Sequence, residues 1–448
     1  MASLTKDVGV ILAARIVVLF AGLGLEVSLA RFLQPAGRGS FEICIMFSTF
    51  LQLVFLTGWN TASIYFVASK RLTLSEGVTQ TVIYGVVSSA LAIVTGLALM
   101  RLPLAFFDAA DARSFWLALL LIPTTFFAIV FLQLLTAVHE FGWFAVISVG
   151  NGVSFLLLAV VFVGLLAWGV YGALLACILR NCLVVLAAWA VLRRKCDVRL
   201  AKPSLRSFCK ILHYGLRQQV GQIANDVNVQ IGTMMLALFA TRAEVGLLAV
   251  AVQVMAKGVM TIPETMMTVL LPKASEDKTG RPELIARCAR LTGLVCAILI
   301  LIIAASATPI VRLLFSPSFV PVVSLIRILA VGTLVRCTCK VFTPYLQGMN
   351  HPGIESFAVA MGAVVNLVAL LCLLPVIGLP AAALSITLSY LTSSAIVTLG
   401  FVRLSRLDCR QTFWLSRSDL AVAHQAISRL LPFQRRWVVG HGPANPDQ

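Results

Sequence analysis

The sequence has few charged residues: Asp, Glu, Lys and Arg together make up only 12% of its 448 residues. This is about half the share found in soluble domains. Hydrophobic residues make up 60% of the chain, and the mean hydropathy is +0.97. So little charge cannot cover the surface of a soluble globule. The composition therefore predicts an integral membrane protein.

The sequence also lacks the motifs that bind nucleotides or perform hydrolysis. It contains no G-x-x-x-x-G-K-[ST] phosphate loop, so ATP is not the energy source in this chain. It contains neither an H-E-x-x-H nor a G-x-S-x-G motif. Its eleven cysteines are scattered through apolar runs without metal-ligand or disulfide spacing. We therefore predict that the protein is not an enzyme and uses no metal or other cofactor.

Basic residues outnumber acidic ones, with 35 Lys and Arg against 18 Asp and Glu and a formal net charge of +17. In a membrane protein such an excess marks the cytoplasmic face and contacts anionic headgroups. We therefore expect membrane lipids as partners and no nucleic acid.

Long apolar runs predict an all-α protein with twelve membrane spans, because a helix needs ~20 mostly apolar residues to cross a bilayer. Spans 1 to 12 are predicted near residues 8–30, 41–67, 78–100, 115–138, 143–167, 169–192, 212–239, 245–271, 285–305, 320–347, 354–376 and 380–402.

Lys and Arg concentrate in alternate connections between these spans. With the N-terminus in the cytoplasm, 22 of the 35 lie in cytoplasmic segments, 6 in external segments and 7 within spans. Cytoplasmic loops carry this excess in membrane proteins. The distribution predicts that both termini are cytoplasmic.

A short internal repeat divides the spans into two sets of six. "LARFLQPAGRG" (29–39) joins spans 1 and 2, and "LALFATRAEVG" (236–246) joins spans 7 and 8, with five identities in register. Because six is an even number, both halves begin on the same side of the membrane. The repeat is therefore parallel, with a pseudo-two-fold axis along the membrane normal.

This repeat predicts two six-helix lobes with a central cavity between them, an arrangement typical of transporters. The expected divisions are an N-terminal lobe (1–192), a basic cytoplasmic linker (193–210), a C-terminal lobe (211–402) and a basic cytoplasmic tail (403–448). A channel or a membrane enzyme fits this organisation less well.

Eleven ionisable residues fall within the predicted spans, where charge is costly and usually faces a cavity or a partner. The seven cations outnumber the four acids. They are Arg15, Arg180, Arg217, Lys257, Arg327, Arg336 and Lys340, and Glu26, Glu42, Asp226 and Glu264.

Helical periodicity gathers polar residues on one face of four spans. These faces are Arg15, Gly22 and Glu26 in span 1; Gln219, Gln222, Asp226, Gln230 and Thr233 in span 7; Gln253, Lys257, Glu264 and Thr268 in span 8; and Arg336, Lys340, Thr343 and Gln347 in span 10. Pro263 and Pro344 are expected to interrupt the helices of spans 8 and 10.

The four faces predict a hydrated, net-cationic cavity between the lobes. Its expected substrate-binding cations are Arg15, Arg180, Lys257, Arg336 and Lys340, and its candidate ion-coupling acids are Glu26, Asp226 and Glu264. The alternative is that the deep cations form structural ion pairs. Arg217, Arg327 and Glu42 are expected to meet the membrane interface instead.

The sequence resembles the polysaccharide repeat-unit flippases of the multidrug/oligosaccharidyl-lipid/polysaccharide exporter superfamily. The similarity covers residues 8–402 and depends on "ARFLQPAGRGSFE" (30–42), "PETMMTVLLPKASE" (263–276) and the segment 346–390 from "LQGMNHPGIESF" to "AAALSITLSY". Twelve spans fit these proteins better than the related peptidoglycan-precursor flippases, which have two more. "GLPAA" at span 12 departs from the usual Gly-Ala-Ala run.

The resemblance implies a bacterial inner-membrane protein that exports an undecaprenyl-diphosphate-linked oligosaccharide by alternating access, beside a polysaccharide polymerase and co-polymerase. Two alternatives remain open at this point. One is a cation-coupled multidrug exporter, whose cavity would be acidic and aromatic. The other is a non-transporting membrane subunit of a polysaccharide synthesis complex.

The predicted topology can be tested with reporter fusions. A reporter placed after Lys202 or Arg403 should report the cytoplasm, and one placed within 101–115 should report the outside, because Lys and Arg are retained on the cytoplasmic side. Paired alkaline phosphatase and green fluorescent protein fusions measure this. A cytoplasmic signal from 101–115 would contradict both the span count and the repeat.

Overall fold

The structure is a computed structural model of the chain, and its helices follow the predicted spans. It describes residues 2–56, 58–102, 106, 107, 111–138, 140–196, 198, 201–216, 236–264, 266, 267, 282–349, 351–408 and 412, with side chains from residue 17 onward. The helices are Ala2–Phe55, Trp59–Ala68, Leu74–Leu99, Ala112–Ala137, Phe141–Ala159, Gly169–Lys195, Arg242–Met255, Pro282–Ile310, Val322–Lys340, Thr343–Gly348, Pro352–Ile377 and Leu379–Ser405.

Ten helices in the described part of the chain are long and apolar enough to cross a membrane. The first of them contains both span 1 and span 2, so eleven predicted spans are accounted for. Span 7 falls largely outside the described residues, which include helical turns at 205–216 and 236–239 on either side of it. The divisions at 193–210 and 403–448 remain predictions, and most of the tail lies outside the described residues.

The connection between spans 1 and 2 is much shorter than expected. Instead of a loop over residues 31–40, a single residue, Gln34, leaves the helical conformation, with φ 58° and ψ 172°. The next residue is Pro35, whose ring disfavours the α conformation at the residue before it. Helix resumes at once, so Arg38 and Gly39 belong to span 2 rather than to an external loop.

The expected helix interruptions are present in spans 8 and 10. Residues Ala256–Met260 of span 8 form a π turn, a few residues before Pro263. Pro263 has no amide hydrogen to donate to the preceding turn. In span 10 the helix ends at Lys340 and resumes at Thr343–Gly348, with Pro344 in its first turn.

Apolar side chains pack within each lobe and also between the lobes, where Val245 and Leu248 of span 8 join the cluster of the N-terminal lobe. In the N-terminal lobe, Phe47 of span 2 packs edge-on against Phe115 of span 4, with ring centroids 5.7 Å apart. A second cluster joins spans 8, 9 and 10 with Ala30 of span 1 and Ala383 of span 12. A third joins spans 9, 10 and 12, where Phe342 stacks on Phe401 at 4.3 Å. Each lobe therefore has apolar contacts of its own.

The two repeated segments meet in space. A Cβ atom on Gly39 would lie 1.7 Å from the carbonyl oxygen of Arg242, and one on Gly246 would lie 2.1 Å from that of Pro35. Gly246 lies 207 residues after Gly39, and Arg242 lies 207 residues after Pro35. The contact is therefore reciprocal, as a two-fold axis between the junctions requires. Only glycine permits so close an approach of two backbones.

A second contact joins the lobes on the same side of the membrane, which the distribution of Lys and Arg predicts to be the outer side. Arg31, at the end of span 1, donates hydrogen bonds from Nε to the carbonyl of Leu314, at 2.6 Å, and from Nη2 to the carbonyl of Leu313. Both carbonyls belong to the π turn Val311–Phe315 of span 9. The lobes are thus held together at the junction between spans 1 and 2.

The glycine contact predicts a strong effect of one methyl group. Gly39→Ala should destabilise the protein by about 1–3 kcal/mol, because the added Cβ overlaps a backbone carbonyl. Gly142→Ala is the matched control, since a Cβ there meets nothing within 4 Å. The measurement is the Tm of the purified protein. Equal Tm values for both variants would show that the two junctions do not touch.

Candidate functional site

A cavity of about 890 Å³ lies between spans 1, 2, 5 and 6 of the N-terminal lobe and span 8 of the C-terminal lobe. Its charged lining residues are Glu26, Arg38, Glu42, Arg180, Lys257 and Glu264. Four of these six were expected in the cavity from the sequence. The structure therefore brings together Arg180, Lys257, Glu26 and Glu264, from three different spans and both lobes.

The carboxylate of Glu26 is the centre of an ion cluster. Its Oε2 accepts a hydrogen bond from Arg38 Nη2 at 2.9 Å, and its Oε1 accepts one from Lys257 Nζ at 2.7 Å. Arg38 Nη1 also donates to Glu42 Oε2 at 3.0 Å. Because Lys257 belongs to span 8, the Glu26–Lys257 pair connects the two lobes.

The members of this cluster differ in their access to the cavity. Only 2% of the Arg38 side chain is exposed, whereas 31% of the Lys257 side chain is exposed. The Arg38–Glu26 pair therefore forms the buried base of the cluster. Lys257 lies at its surface, where its ammonium group can meet a solute.

Sequence reasoning missed two members of the cluster. Arg38 was expected in an external loop, and Glu42 was expected at the membrane interface. The single-residue turn at Gln34 explains both errors, because it extends span 2 towards its N-terminus and turns these side chains inward. The available signal was the spacing of Arg38 and Glu42, since residues four apart are neighbours on a helix.

Arg180 differs from the other cations of the cavity. Its guanidinium group donates to the Oδ1 of Asn181 at 2.9 Å and lies 4.6 Å from the ring centroid of Phe155. Asn181 in turn donates to Thr125 Oγ1 at 2.9 Å. Among the described residues, no carboxylate forms a salt bridge with Arg180. Its positive charge is therefore held in place by a neutral amide and an aromatic ring.

The polar face of span 10 lies elsewhere. Arg336, Lys340, Thr343 and Gln347 do share one face, as the periodicity predicts, but they line a second pocket of about 430 Å³. Spans 11 and 12 and Met267 of span 8 form its other walls, so this pocket lies within the C-terminal lobe rather than between the lobes. The reason is that the apolar side of span 10 packs against spans 8 and 9.

Lys340 links the second pocket to the central cavity. Its Nζ donates to Oε1 of Glu264, a cavity residue, at 3.0 Å. Arg336 lies over the ring of Tyr390, 4.6 Å from its centroid. The buried Nε of Arg336 has no hydrogen-bond partner among the residues that the structure describes.

Two of the expected site residues, Arg15 and Asp226, fall outside the described side chains. The side chain of Arg15 lies outside the described side chains, although its backbone is helical. Asp226 and the rest of the span 7 polar face lie outside the described residues. The described charges that line the cavity are three cations and three acids. The sequence predicted a net-cationic cavity, whereas the described lining is balanced in charge.

Comparisons with known proteins agree with this architecture. Residues 4–278 match the sequence profile of a family described as polysaccharide biosynthesis protein. A search of curated protein sequences finds no match.

Several solved structures share the fold. A lipid II flippase MurJ in an inward closed conformation has a TM-score of 0.72 and 12% identity, over 88% of this chain and 90% of that chain. An inward-facing MATE family multidrug resistance transporter of the MOP superfamily has a TM-score of 0.64 and 16% identity, over 88% of this chain and 95% of that chain. A point mutant of the Vibrio cholerae MATE transporter VcmN has a TM-score of 0.59 and 16% identity, over 92% of this chain and 100% of that chain. These matches confirm the predicted fold of twelve spans in two lobes.

The ion cluster predicts that Arg38 is required for folding. Arg38→Gln leaves Glu42 without its described counter-ion and Glu26 with Lys257 alone, and breaking a buried pair costs about 3–5 kcal/mol. We expect little folded protein, measured by size-exclusion chromatography of a fluorescent fusion. Arg180→Gln is the matched control and should fold, because no described carboxylate depends on it. Normal yield of Arg38→Gln would contradict the central position of this cluster.

Proposed function

We propose that this chain, which belongs to the polysaccharide biosynthesis protein family, is a flippase for an undecaprenyl-diphosphate-linked oligosaccharide repeat unit. It would move this substrate from the cytoplasmic to the outer leaflet of the bacterial inner membrane. The observation that carries the proposal is the cavity between the lobes, which Lys257 and Arg180 both line. Among the described residues, Arg180 has no carboxylate partner. A fold shared with a lipid II flippase supports the same class of substrate.

The substrate explains why cations are needed in the cavity. A diphosphate is anionic, and moving it unaided through hydrocarbon is prohibitively costly. Guanidinium and ammonium groups form short charge-assisted hydrogen bonds with phosphate oxygens. In the proposed complex, Arg180 binds one phosphate through its planar fork and Lys257 binds the other as a point charge. The lipid tail remains in the bilayer.

Binding would change the contacts between the lobes. Glu26 has two cationic partners, so it keeps Arg38 when Lys257 turns to the substrate. The pair that connects span 1 to span 8 is then weakened while no carboxylate is left unpaired. In this mechanism substrate binding itself lowers the cost of separating the lobes, which is the step that alternating access requires.

Coupling to protons or Na⁺ is the second part of the proposal. Glu26 and Glu264 each hold a lysine, Lys257 and Lys340 respectively. Protonation of either acid, or Na⁺ bound to it, would release that lysine for the substrate. Asp226 of span 7 belongs to the same candidate set. Arg15, Arg336 and Lys340 remain candidate substrate contacts, with the last two reaching the substrate from the second pocket.

The main alternative is a multidrug exporter, since the chain shares its fold with the MATE structures. An exporter of cationic compounds needs an excess of acids in its cavity. The described lining of the cavity has three cations and three acids, so it shows no such excess. We therefore favour the anionic substrate, with a polysaccharide polymerase and co-polymerase as proposed partners.

Export by variants at matched protein levels tests the proposal. Arg180→Gln should reduce surface polysaccharide about tenfold or more, because a hydrogen bond to a charged group contributes ~1.5–3 kcal/mol. Lys257→Gln should act similarly, and Lys257→Arg should retain most export because it keeps the positive charge. Arg327→Gln is the matched control, since Arg327 is exposed on span 10 and lines neither cavity.

The measurement is capsular or secreted polysaccharide in a deletion strain complemented with each variant. Wild-type export by both Arg180→Gln and Lys257→Gln would refute the proposed substrate site. Increased sensitivity to cationic dyes, with polysaccharide unchanged, would favour the multidrug exporter. Full export by Arg336→Gln would remove the second pocket from the substrate path.

A further inference from the structure

A helix at the end of the linker between the lobes has three distinct faces. The structure describes it over residues 205–216, which include the first residues of predicted span 7. On one face, Leu205 is 78% exposed and Leu216 is 56% exposed. Arg206, Lys210 and His213 lie roughly a quarter-turn away and are also exposed. An exposed apolar face beside a cationic face is typical of helices that lie in the membrane interface.

The third face of this helix is fixed to the N-terminal lobe. The ring of Phe208 lies 5.2 Å from that of Trp59, and Tyr214 stacks on Tyr65 at 4.7 Å with an interplanar angle of 3°. A Cβ on Gly215 would lie 2.8 Å from the carbonyl oxygen of Gly58, so the two backbones are in contact.

Two hydrogen bonds anchor the segment that leads into the helix. The amide of Ala201 donates to Thr79 Oγ1 at 2.9 Å, and Gln80 Nε2 donates to the carbonyl of Ser204 at 2.9 Å. The linker helix is therefore held on the N-terminal lobe both by its own side chains and by the segment that precedes it. Its cations are held at a fixed place on the lobe rather than on a free loop.

The helix and the turn after span 2 enclose a pocket of about 870 Å³. Its described lining contains four basic side chains and no carboxylate: Arg71, Arg206, Lys210 and His213. Phe66, Leu72 and Tyr214 form the apolar part of the wall. Arg71 lies over the ring of Tyr65, 5.4 Å from its centroid. The pocket thus combines several positive charges with a wall suited to an acyl chain or glycerol backbone.

We infer that this pocket binds the headgroup phosphate of an anionic phospholipid of the cytoplasmic leaflet. The charge of the pocket complements a phosphate, and the exposed Leu205 and Leu216 beside it place the helix against lipid. The segment 193–210 is also the most basic of the predicted cytoplasmic connections, together with the tail. Bound there, the lipid attaches the linker helix, and through it the start of span 7, to the membrane surface. This site is separate from the substrate cavity and does not depend on the proposed function.

Lipid binding to the purified full-length protein tests this inference. The probe is phosphatidylglycerol, titrated against phosphatidylcholine and followed by native mass spectrometry. Arg206→Gln/Lys210→Gln should weaken phosphatidylglycerol binding by roughly twentyfold, because each cation near an anionic surface contributes about fivefold. Arg206→Lys/Lys210→Arg should bind normally, since it preserves both charges.

The matched control is Arg193→Gln/Arg194→Gln, which removes the same charge from the same linker outside the pocket. Equal weakening by both Gln pairs would mean general attraction to the basic face and would overturn the site, as would no weakening by either. Inorganic phosphate and pyrophosphate are added in a separate competition. Displacement of phosphatidylglycerol by millimolar phosphate would assign the pocket to a free anion and overturn the lipid assignment.

Discussion

The buried carboxylate of Glu26 is the constraint to which the rest of the structure is fitted. A lone charge at this depth would be very costly, so the fold must supply counter-ions from more than one direction. Span 2 supplies Arg38 and span 8 supplies Lys257. The turn at Gln34 has to be tight because a longer loop would start span 2 later and take Arg38 out of reach. The turn at Gln34, the position of span 2 and one of the contacts between the lobes thus all satisfy the same ionic requirement.

The lobes meet through an ion pair and through a backbone contact, and these two contacts differ in whether a solute can replace one of the partners. The Glu26–Lys257 pair has a partly exposed side, and in the proposed mechanism a solute anion takes the place of Glu26 at Lys257. The backbone contact at Gly39 and Gly246 has no such substitute, because nothing can enter between atoms that already touch. A cycle that separates the lobes must therefore remove the glycine contact by rigid movement, whereas the ionic contact can be released chemically. Release of the ionic contact therefore depends on which solutes the cavity contains.

The sequence was sufficient for the global fold and for part of the site. Apolar run lengths and the distribution of Lys and Arg predict twelve spans, and periodicity correctly groups Lys257 with Glu264 and Arg336 with Lys340. Periodicity within one helix does not say which neighbour a polar face meets, so span 10 was assigned to the wrong cavity. Arg38 was missed for a different reason: the length of a turn depends on one backbone conformation, and a hydrophobic pattern does not encode it. Ion pairs between distant spans, such as Glu26 with Lys257, depend on the tertiary structure, so the pattern of a single helix does not predict them.

The reciprocal contact at the two junctions has an evolutionary consequence. Pro35 touches Gly246 and Arg242 touches Gly39, so each half presents the same two positions to the other. In a dimer of two identical six-span chains related by a true two-fold axis, the same two positions of each chain would make this contact. The interface is therefore the one that an ancestral homodimer would have had before gene duplication and fusion. Because six spans return the chain to its starting side, both ancestral subunits would have inserted in the same orientation. Fusion then needed only a connection on one face of the membrane, which is where the basic linker runs.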